Sequence, residues 1–311
     1  MKQELVSVII PTYKRNETLE RAIISVINQT YPNIEIIVVD DNANFPKYRE
    51  ENRKLLKKYK EVKLIENEKN LGGGLTRNQG IKIAKGDFIA FLDDDDEFLP
   101  TKIEKQYKLY KKLNNSNIAM IYCYANMVNI DGSRYELKKD FEGIPLVENV
   151  KNCIAATSWW FCPKEKLEKV GGFEDISSRQ DASLILKFLL NGYEIYRVPE
   201  ILLNYYWHNG ENGISKVDEK AIDAEKKYKD IFLKKREHVN SKDNDEIIYF
   251  FSLRLAKMYI RLKNKKAAIK ELKVMLKIHK VRKENIQIII GIIFNKLYIK
   301  IANNKDKTRE K

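Results

Sequence analysis

The chain has 311 residues, 43% hydrophobic and 33% charged, which describes a soluble, globular, rather charged protein with room for one large domain plus an appendage or two ordinary domains. Its net charge of +14 is confined to residues 247–311, where 18 basic side chains meet 4 acidic ones, so a neutral body carries a basic tail. The cysteines, Cys123, Cys153 and Cys162, are odd in number and lack Cys-x-x-Cys spacing, which argues against a disulfide framework or a zinc site and fits a reducing cytoplasm. Residues 1–5 lack the apolar core and cleavage site of a signal peptide, and no run reaches the roughly 18–20 apolar residues that span a bilayer, so the protein is expected inside the cell.

In chain order, Leu5 to Ile10 is an apolar strand closed by Pro11, and a helix opens at Asn16 with Leu19, Ile23, Ile24 and Ile27 at helical spacing. Ile34 to Val39 is the next strand, ending in Asp40-Asp41. A charged helix from about Pro46 to Lys60, a strand at Val62 to Glu66, the cluster Gly72-Gly73-Gly74, a helix from Leu75 to Ala84 and a strand from Phe88 follow. This alternation predicts a mainly parallel sheet with right-handed crossovers. Gly72 and Gly74 are followed by Arg77 where a dinucleotide fingerprint needs its third glycine. The cluster also follows the third strand instead of the first, so a Rossmann dehydrogenase is rejected and the loop is expected to place Arg77 near a phosphate.

The apolar run from Phe88 to Leu92 ends in five consecutive acids, Asp93-Asp94-Asp95-Asp96-Glu97. Adjacent carboxylates repel unless something positive sits among them, and hard divalent cations prefer oxygen ligands. The run reads either as a cation site or as a solvated turn before the helix near Pro100. Thr12-Tyr13, Asp40-Asp41 and Asp93 to Asp96 all follow strands, so a parallel sheet sets them on one rim, where open α/β sheets bind ligands.

Beyond Asn114 the rhythm changes. A strand at Ile118 to Asn129, a turn at Ile130 to Ser133 and a return strand at Arg134 to Lys139 are expected, then a strand at Ala155 to Cys162. Next come a short helix from Pro163 to Gly171-Gly172, a helix at Asp181 to Asn191, and strands at Tyr193 to Val198 and Ile201 to Trp207. From Ser215 the pattern is helical. Residues 246–280 form two helices joined at Lys263-Asn264-Lys265, with Ala256, Tyr259, Ala268 and Leu272 matching one tetratricopeptide unit. Residues 286–301 are apolar apart from Gln287, Gly291, Asn295, Lys296 and Lys300. They read as a terminal helix docked on that hairpin, or as an amphipathic helix on an anionic inner leaflet, with residues 284–311 as the membrane-binding part.

Val8 to Arg15, Ser25 to Tyr31, Glu35 to Asp41, Asn70 to Gly72, Arg77 to Gly80 and Gly86 to Asp96, in this order and spacing, resemble glycosyltransferase family 2, and Val170 to Phe173, Arg179 to Asp181 and Tyr206 to His208 extend the likeness. Two departures stand out: Asn42-Ala43-Asn44 where the family has Gly-Ser-x-Asp, and Ala182-Ser183 after Asp181. The resemblance implies an inverting enzyme with a GT-A fold, an α/β mainly parallel sheet with flanking helices, over residues 1–214 (a nucleotide-binding half, 1–115, and an acceptor half, 116–214). A basic helical extension, 215–311, follows.

The resemblance further implies a nucleotide pocket from Pro11, Thr12, Tyr13, Arg15, Asp40, Asp41, Gly72, Arg77, Asp93 and Asp94. Mn2+ or Mg2+ would be held by Asp95, with Asp93 on metal or ribose and His208 as a late ligand, although His208 reads equally as a surface residue. Asp181 is the expected general base, or else a helix N-cap, with Glu174 and Asp175 as fallbacks. Trp159, Trp160, Arg179 and Gln180 would meet the acceptor, although adjacent tryptophans on a strand face opposite ways, so one belongs to the core. The expected reaction moves a sugar from a nucleotide diphosphosugar, UDP-linked, to a surface glycan or lipid-linked saccharide, on the cytoplasmic face of the cell membrane. Rival readings are a sugar-nucleotide pyrophosphorylase, which wants glycine after the first strand, and a nucleic-acid-binding protein using the basic tail. The neutral body and the acid cluster weigh against nucleic acid as a partner.

Overall fold

The computed structural model describes residues 3–207, 217–295 and 298. It divides into two units, the first made of residues 3–145, 153–175 and 180–207, the second of 146–152, 176–179 and the described residues from 217 onward.

The first unit begins with β1 (Val6–Thr12), α1 (Asn16–Ile27), β2 (Ile34–Asp40), α2 (Pro46–Leu56), β3 (Val62–Glu66), α3 (Gly73–Ile83) and β4 (Phe88–Phe91). These strands pair in the order β3-β2-β1-β4, all parallel. Both faces of the central strands are buried, including Val8 to Ile10, Ile37 to Val39 and Ile89 to Phe91, which is why they read as continuous apolar runs. A Cβ at Gly86 would lie 2.7 Å from the backbone nitrogen of Ser7, so β4 can enter beside β1 only with glycine there. Because β2 and β4 flank β1 on opposite sides, strand order reverses at β1, and the crevice between the ends of β1 and β4 is the place such sheets offer a ligand.

The rest of the unit supplies β5 (Glu97–Phe98), α4 (Lys102–Leu113), β6 (Ile118–Val128), β7 (Arg134–Leu137), β8 (Phe161–Pro163), α6 (Lys164–Lys169), α7 (Gln180–Leu190) and β9 (Glu194–Tyr206), with α5 (Leu146–Asn152) belonging to the second unit. The full order is β3-β2-β1-β4-β8-β6-β9-β5, with β7 beside β6. The expected parallel arrangement holds for the first half. In the second, β6 and β9 run parallel while the pairings of β4 with β8, β5 with β9, and β6 with β7 and β8 are antiparallel.

Two expected elements differ. The strand expected at Ala155 to Cys162 is a 3-10 turn, Thr157–Trp159, followed by the short β8. Trp160 explains the turn: its indole N–H donates to the Ala155 carbonyl (3.2 Å) while the ring stacks on Phe173 at 6.0 Å, drawing the chain inward. The two strands expected after Tyr193 are one, β9, with a register shift between Val198 and Ile201 that accommodates Pro199.

In the second unit, α8 (Glu219–Lys234), α9 (Ser241–Arg261) and α10 (Lys265–Ile278) are each capped by a side chain, Asp218, Asn240 and Asn264, that accepts a backbone N–H of the first turn. α9, α10 and α11 (Lys283–Ile293) close over Tyr249, Leu253, Ala256, Ile260, Ala268, Met275 and Ile288. The sequence places the start of the extension at residue 215; the second unit also takes in residues 146–152 and 176–179. Buried Glu225 joins those segments: it pairs with Arg179 (3.3 Å) and with Arg254 (2.7 Å), and Arg254 also donates to the Val150 carbonyl. No helix among the described residues is long and apolar enough to cross a membrane.

Candidate active site

The rim is built around the turn that ends β4. The strand stops at Phe91, and the Asp96 N–H donates to the Asp93 carbonyl at 3.0 Å, so it is this turn and not the alternation of a continuing strand that gathers carboxylates. Oxygens of Asp93, Asp95 and Asp96 come within 4.8 Å of one another. Asp96 was not among the residues expected to hold metal. The Ser158 hydroxyl fastens the turn from beneath, donating to Asp96 Oδ2 (2.5 Å) and accepting from the Asp93 N–H (3.0 Å). Arg21 of α1 donates to the Asp95 carbonyl at 2.5 Å, with its guanidinium 3.7 Å from the Tyr206 ring centre.

Crowded burial moves the acids. Burial first, then repulsion from Asp95, pushes the Asp94 carboxyl up to about 7 against the pull of Arg15; Asp96 is pushed well above the usual carboxylate range, again by burial and then Asp95 and Asp93. Two arginines already sit on this cluster. Arg15 pairs with Asp95 and lies 3.4 Å from Asp94, and Arg77 of α3 pairs with Asp93. Three all-oxygen carboxylate donors that need positive charge are a set suited to Mg2+ or Mn2+, so the residues fit a divalent cation.

Arg77, only 7% exposed, also donates to Gln180 Oε1 at 3.2 Å, tying Asp93 to the first turn of α7, where Asp181 stands. Asp181 accepts from the Ala182 N–H (2.7 Å), and its charge is felt at Tyr205 together with those of Asp96, Asp93 and Asp95. Of the fallback bases, Glu174 is paired with Lys187 at 2.7 Å.

The other expected site residues divide clearly. Pro11 and Thr12 close β1, and half-exposed Tyr13 sits edge-on to Phe45 at 5.7 Å while its N–H donates to Asp94. Asp40 is wholly buried and accepts from Asn42, Arg49 and Asn52, which makes it a structural anchor. Asp41 accepts from Asn67, Asn70 and the N–H groups of Leu71 and Gly72 at 2.8–2.9 Å. Four donors fill a carboxylate's acceptor sites, so Asp41 as placed shapes the loop before α3, and a contact with a base would have to displace one of them. Gly72, at φ +76, turns that loop into the helix.

The expected acceptor set is corrected at its two tryptophans. Trp159 and Trp160 are both buried, the second against Phe91 and Phe173, so neither offers a platform to a sugar ring. Arg179, with φ +64, turns its guanidinium to Glu225, and Gln180 is held by Arg77. His208 lies outside the described residues.

The model of glycosyl transferase family 2 matches residues 7–171, more than half of the chain. The chain belongs to glycosyltransferase family 2. An uncharacterized glycosyltransferase of Methanocaldococcus jannaschii is 30% identical over 234 residues, 71% of this chain and 77% of the relative. TuaG of Bacillus subtilis, described as a putative teichuronic acid biosynthesis glycosyltransferase, is 29% identical over 65% of this chain and 78% of its own length. Among solved structures, S. aureus TarS 1–349 in complex with UDP-GlcNAc superimposes with a TM-score of 0.70 at 16% identity, covering 98% of this chain and 92% of that one. The mannosyltransferase PcManGT from Pyrobaculum calidifontis, in complex with GDP-Man and Mn2+, gives 0.58 at 15% identity over 96% and 84%. At these identities the structures establish a shared fold, the GT-A arrangement expected of the family.

Proposed function

We propose that this family 2 glycosyltransferase is a metal-dependent, inverting enzyme that moves a sugar from a UDP-linked donor to a surface glycan or its lipid-linked precursor. One observation carries the reading: Arg77 bridges Asp93 of the acid turn to Gln180, so donor-binding acids and the candidate base Asp181 belong to one connected set. A divalent cation held by Asp93, Asp95 and Asp96 would supply Lewis-acid stabilisation of the departing diphosphate. Arg77 and Arg15 add positive charge where that leaving group develops its negative charge. Tyr13 offers an aromatic edge to the nucleotide, and the loop ordered by Asp41 borders it. Asp181 takes the proton of the acceptor hydroxyl as its oxygen bonds to the anomeric carbon, and the nucleoside diphosphate departs from the opposite face with the bonding pair. The glycan acceptor is supported by the likeness to TuaG, and the uridine nucleotide by the likeness to TarS.

A thermal-shift screen of sugar nucleotides with and without manganese tests this. UDP-sugars are expected to raise the melting temperature only with the metal present. Stabilisation by a different nucleotide class, or equal stabilisation in chelator, refutes the donor or the metal.

The cytoplasmic side of the membrane is the proposed place of work, and α11 supports it. One face of α11, with Asn285, Ile288 and Gly291, is buried in the helical unit, whereas Ile286, Ile289, Ile290, Ile293 and the following Phe294 are exposed. The docked reading describes the buried face, and the interfacial reading is the one proposed for the exposed face. With 18 basic and 4 acidic side chains over residues 247–311, charge complementarity selects an anionic lipid surface to cover the exposed face. Ile286→Asp, Ile290→Asp and Ile293→Asp together spare the buried face and are expected to lower affinity for phosphatidylglycerol vesicles by roughly tenfold or more with an unchanged melting temperature. Equal vesicle binding by the triple variant, or none by the wild type at low salt, excludes the membrane role.

A further inference from the structure

The two arginines on the acid turn differ in how they are held. Arg77 is buried, bonded to Gln180 as well as Asp93, and lies 5.6 Å from the Phe173 ring centre, so its guanidinium is fixed from several sides. Arg15 is different. Its backbone is pinned, because the Tyr13 N–H donates to Asp94 (3.2 Å) and the Lys14 N–H to Asn42 Oδ1 (2.8 Å), with Lys14 itself at φ +57. Its side chain, however, is 41% exposed and reaches inward to Asp95 and Asp94, whose side chains are 11% and 6% exposed. Arg15 stands at the N-cap position of α1 without making a side-chain cap bond, so the helix places no demand on its guanidinium.

The carboxylate that Arg15 covers is one of the three that fit a divalent cation. A cation bound at Asp95 with Arg15 still in place would put two positive groups against one carboxylate, and they repel. A diphosphate relieves this conflict, because it presents Arg15 with oxygens suited to a bidentate guanidinium.

On the reading that this site takes a metal and a nucleotide diphosphosugar, we propose that Arg15 is an exchangeable counter-ion. It neutralises Asp95 in the empty site and passes to the donor's diphosphate when the cation takes Asp95, so that cation and donor bind cooperatively. No covalent bond changes; one ion pair is traded for two. By linkage each ligand tightens the other by the same factor.

The test uses Mn2+ and UDP as probes on chelator-treated full-length protein, with free Mn2+ read by electron paramagnetic resonance and UDP affinity by calorimetry. Arg15→Gln removes the competing charge. It is expected to tighten Mn2+ binding without nucleotide by roughly fivefold or more, to weaken UDP binding at saturating Mn2+ by a similar factor, and so to shrink the coupling that the wild type displays. Arg15→Lys, which keeps the charge on a single-point head, should fall between the two. Unchanged or weaker Mn2+ binding in Arg15→Gln overturns the exchange, as does tighter Mn2+ binding with UDP affinity intact, which makes Arg15 a fixed counter-ion. A wild-type chain that binds neither probe overturns the donor reading itself, and the exchange with it.

Discussion

Asp181→Asn is expected to bind the donor as the wild type does and to transfer sugar slower by roughly two to four orders of magnitude, the usual worth of a general base. The substitution isolates chemistry from position. Asparagine keeps an oxygen able to accept from the Ala182 N–H, so the first turn of α7 and the neighbouring Gln180–Arg77 bond have no reason to move. It cannot take up the acceptor's proton. The Lys187 ion pair occupies the Glu174 carboxylate, which makes Glu174 the weaker candidate. Single-turnover transfer of a radiolabelled sugar, paired with donor calorimetry, separates the two effects. Retention of most of the transfer rate would move the role to Glu174 or Asp175.

Asp95→Ala is expected to produce the largest loss in donor binding, about two orders of magnitude or more in metal-dependent UDP affinity. Its carboxylate is one of three that converge, and the contact Arg21 makes at this residue is to the backbone carbonyl, which survives the substitution. Asp96, by contrast, supports Ser158 and the Tyr206 N–H, so its removal would blur a binding defect with a folding one. UDP titrations with and without manganese decide the matter. The wild type should differ between the two conditions and Asp95→Ala should not. Equal wild-type and variant affinities in both would take Asp95 out of the site.

The strands and their rim were legible because a parallel sheet buried on both faces leaves an unmistakable mark, runs such as Val8 to Ile10 and Ile89 to Phe91 followed by polar residues. What went unread depends on contacts distant in sequence. Asp96 joins the acid cluster only because the chain turns after Phe91 and Ser158, 62 residues on, holds the turn. Trp159 and Trp160 sit in an apolar run that fits a strand, yet packing of Trp160 on Phe173 and Phe91 converts it into a turn with both indoles inside. Asp41 carries the mark of a ligand contact, a carboxylate at a strand end, and is filled by donors from Asn67 to Gly72. Arg179 adjoins the catalytic candidates in sequence and pairs with Glu225, which no local pattern announces. For α11, composition revealed an apolar helix over residues 286–301, of which 296, 297 and 299–301 lie outside the described residues, while the face that docks was decided by its fit to Ile260 and Tyr298 at Gly291.

The central claim is that the acid turn after β4 holds a divalent cation on a nucleotide diphosphate. Anomalous diffraction at the manganese edge, from a crystal grown with Mn2+ and UDP, tests it most directly. The account predicts one strong peak in ligand contact with Asp95, between that carboxylate and the UDP diphosphate. UDP bound at the rim with no peak there, or manganese seated elsewhere in the chain, would contradict it.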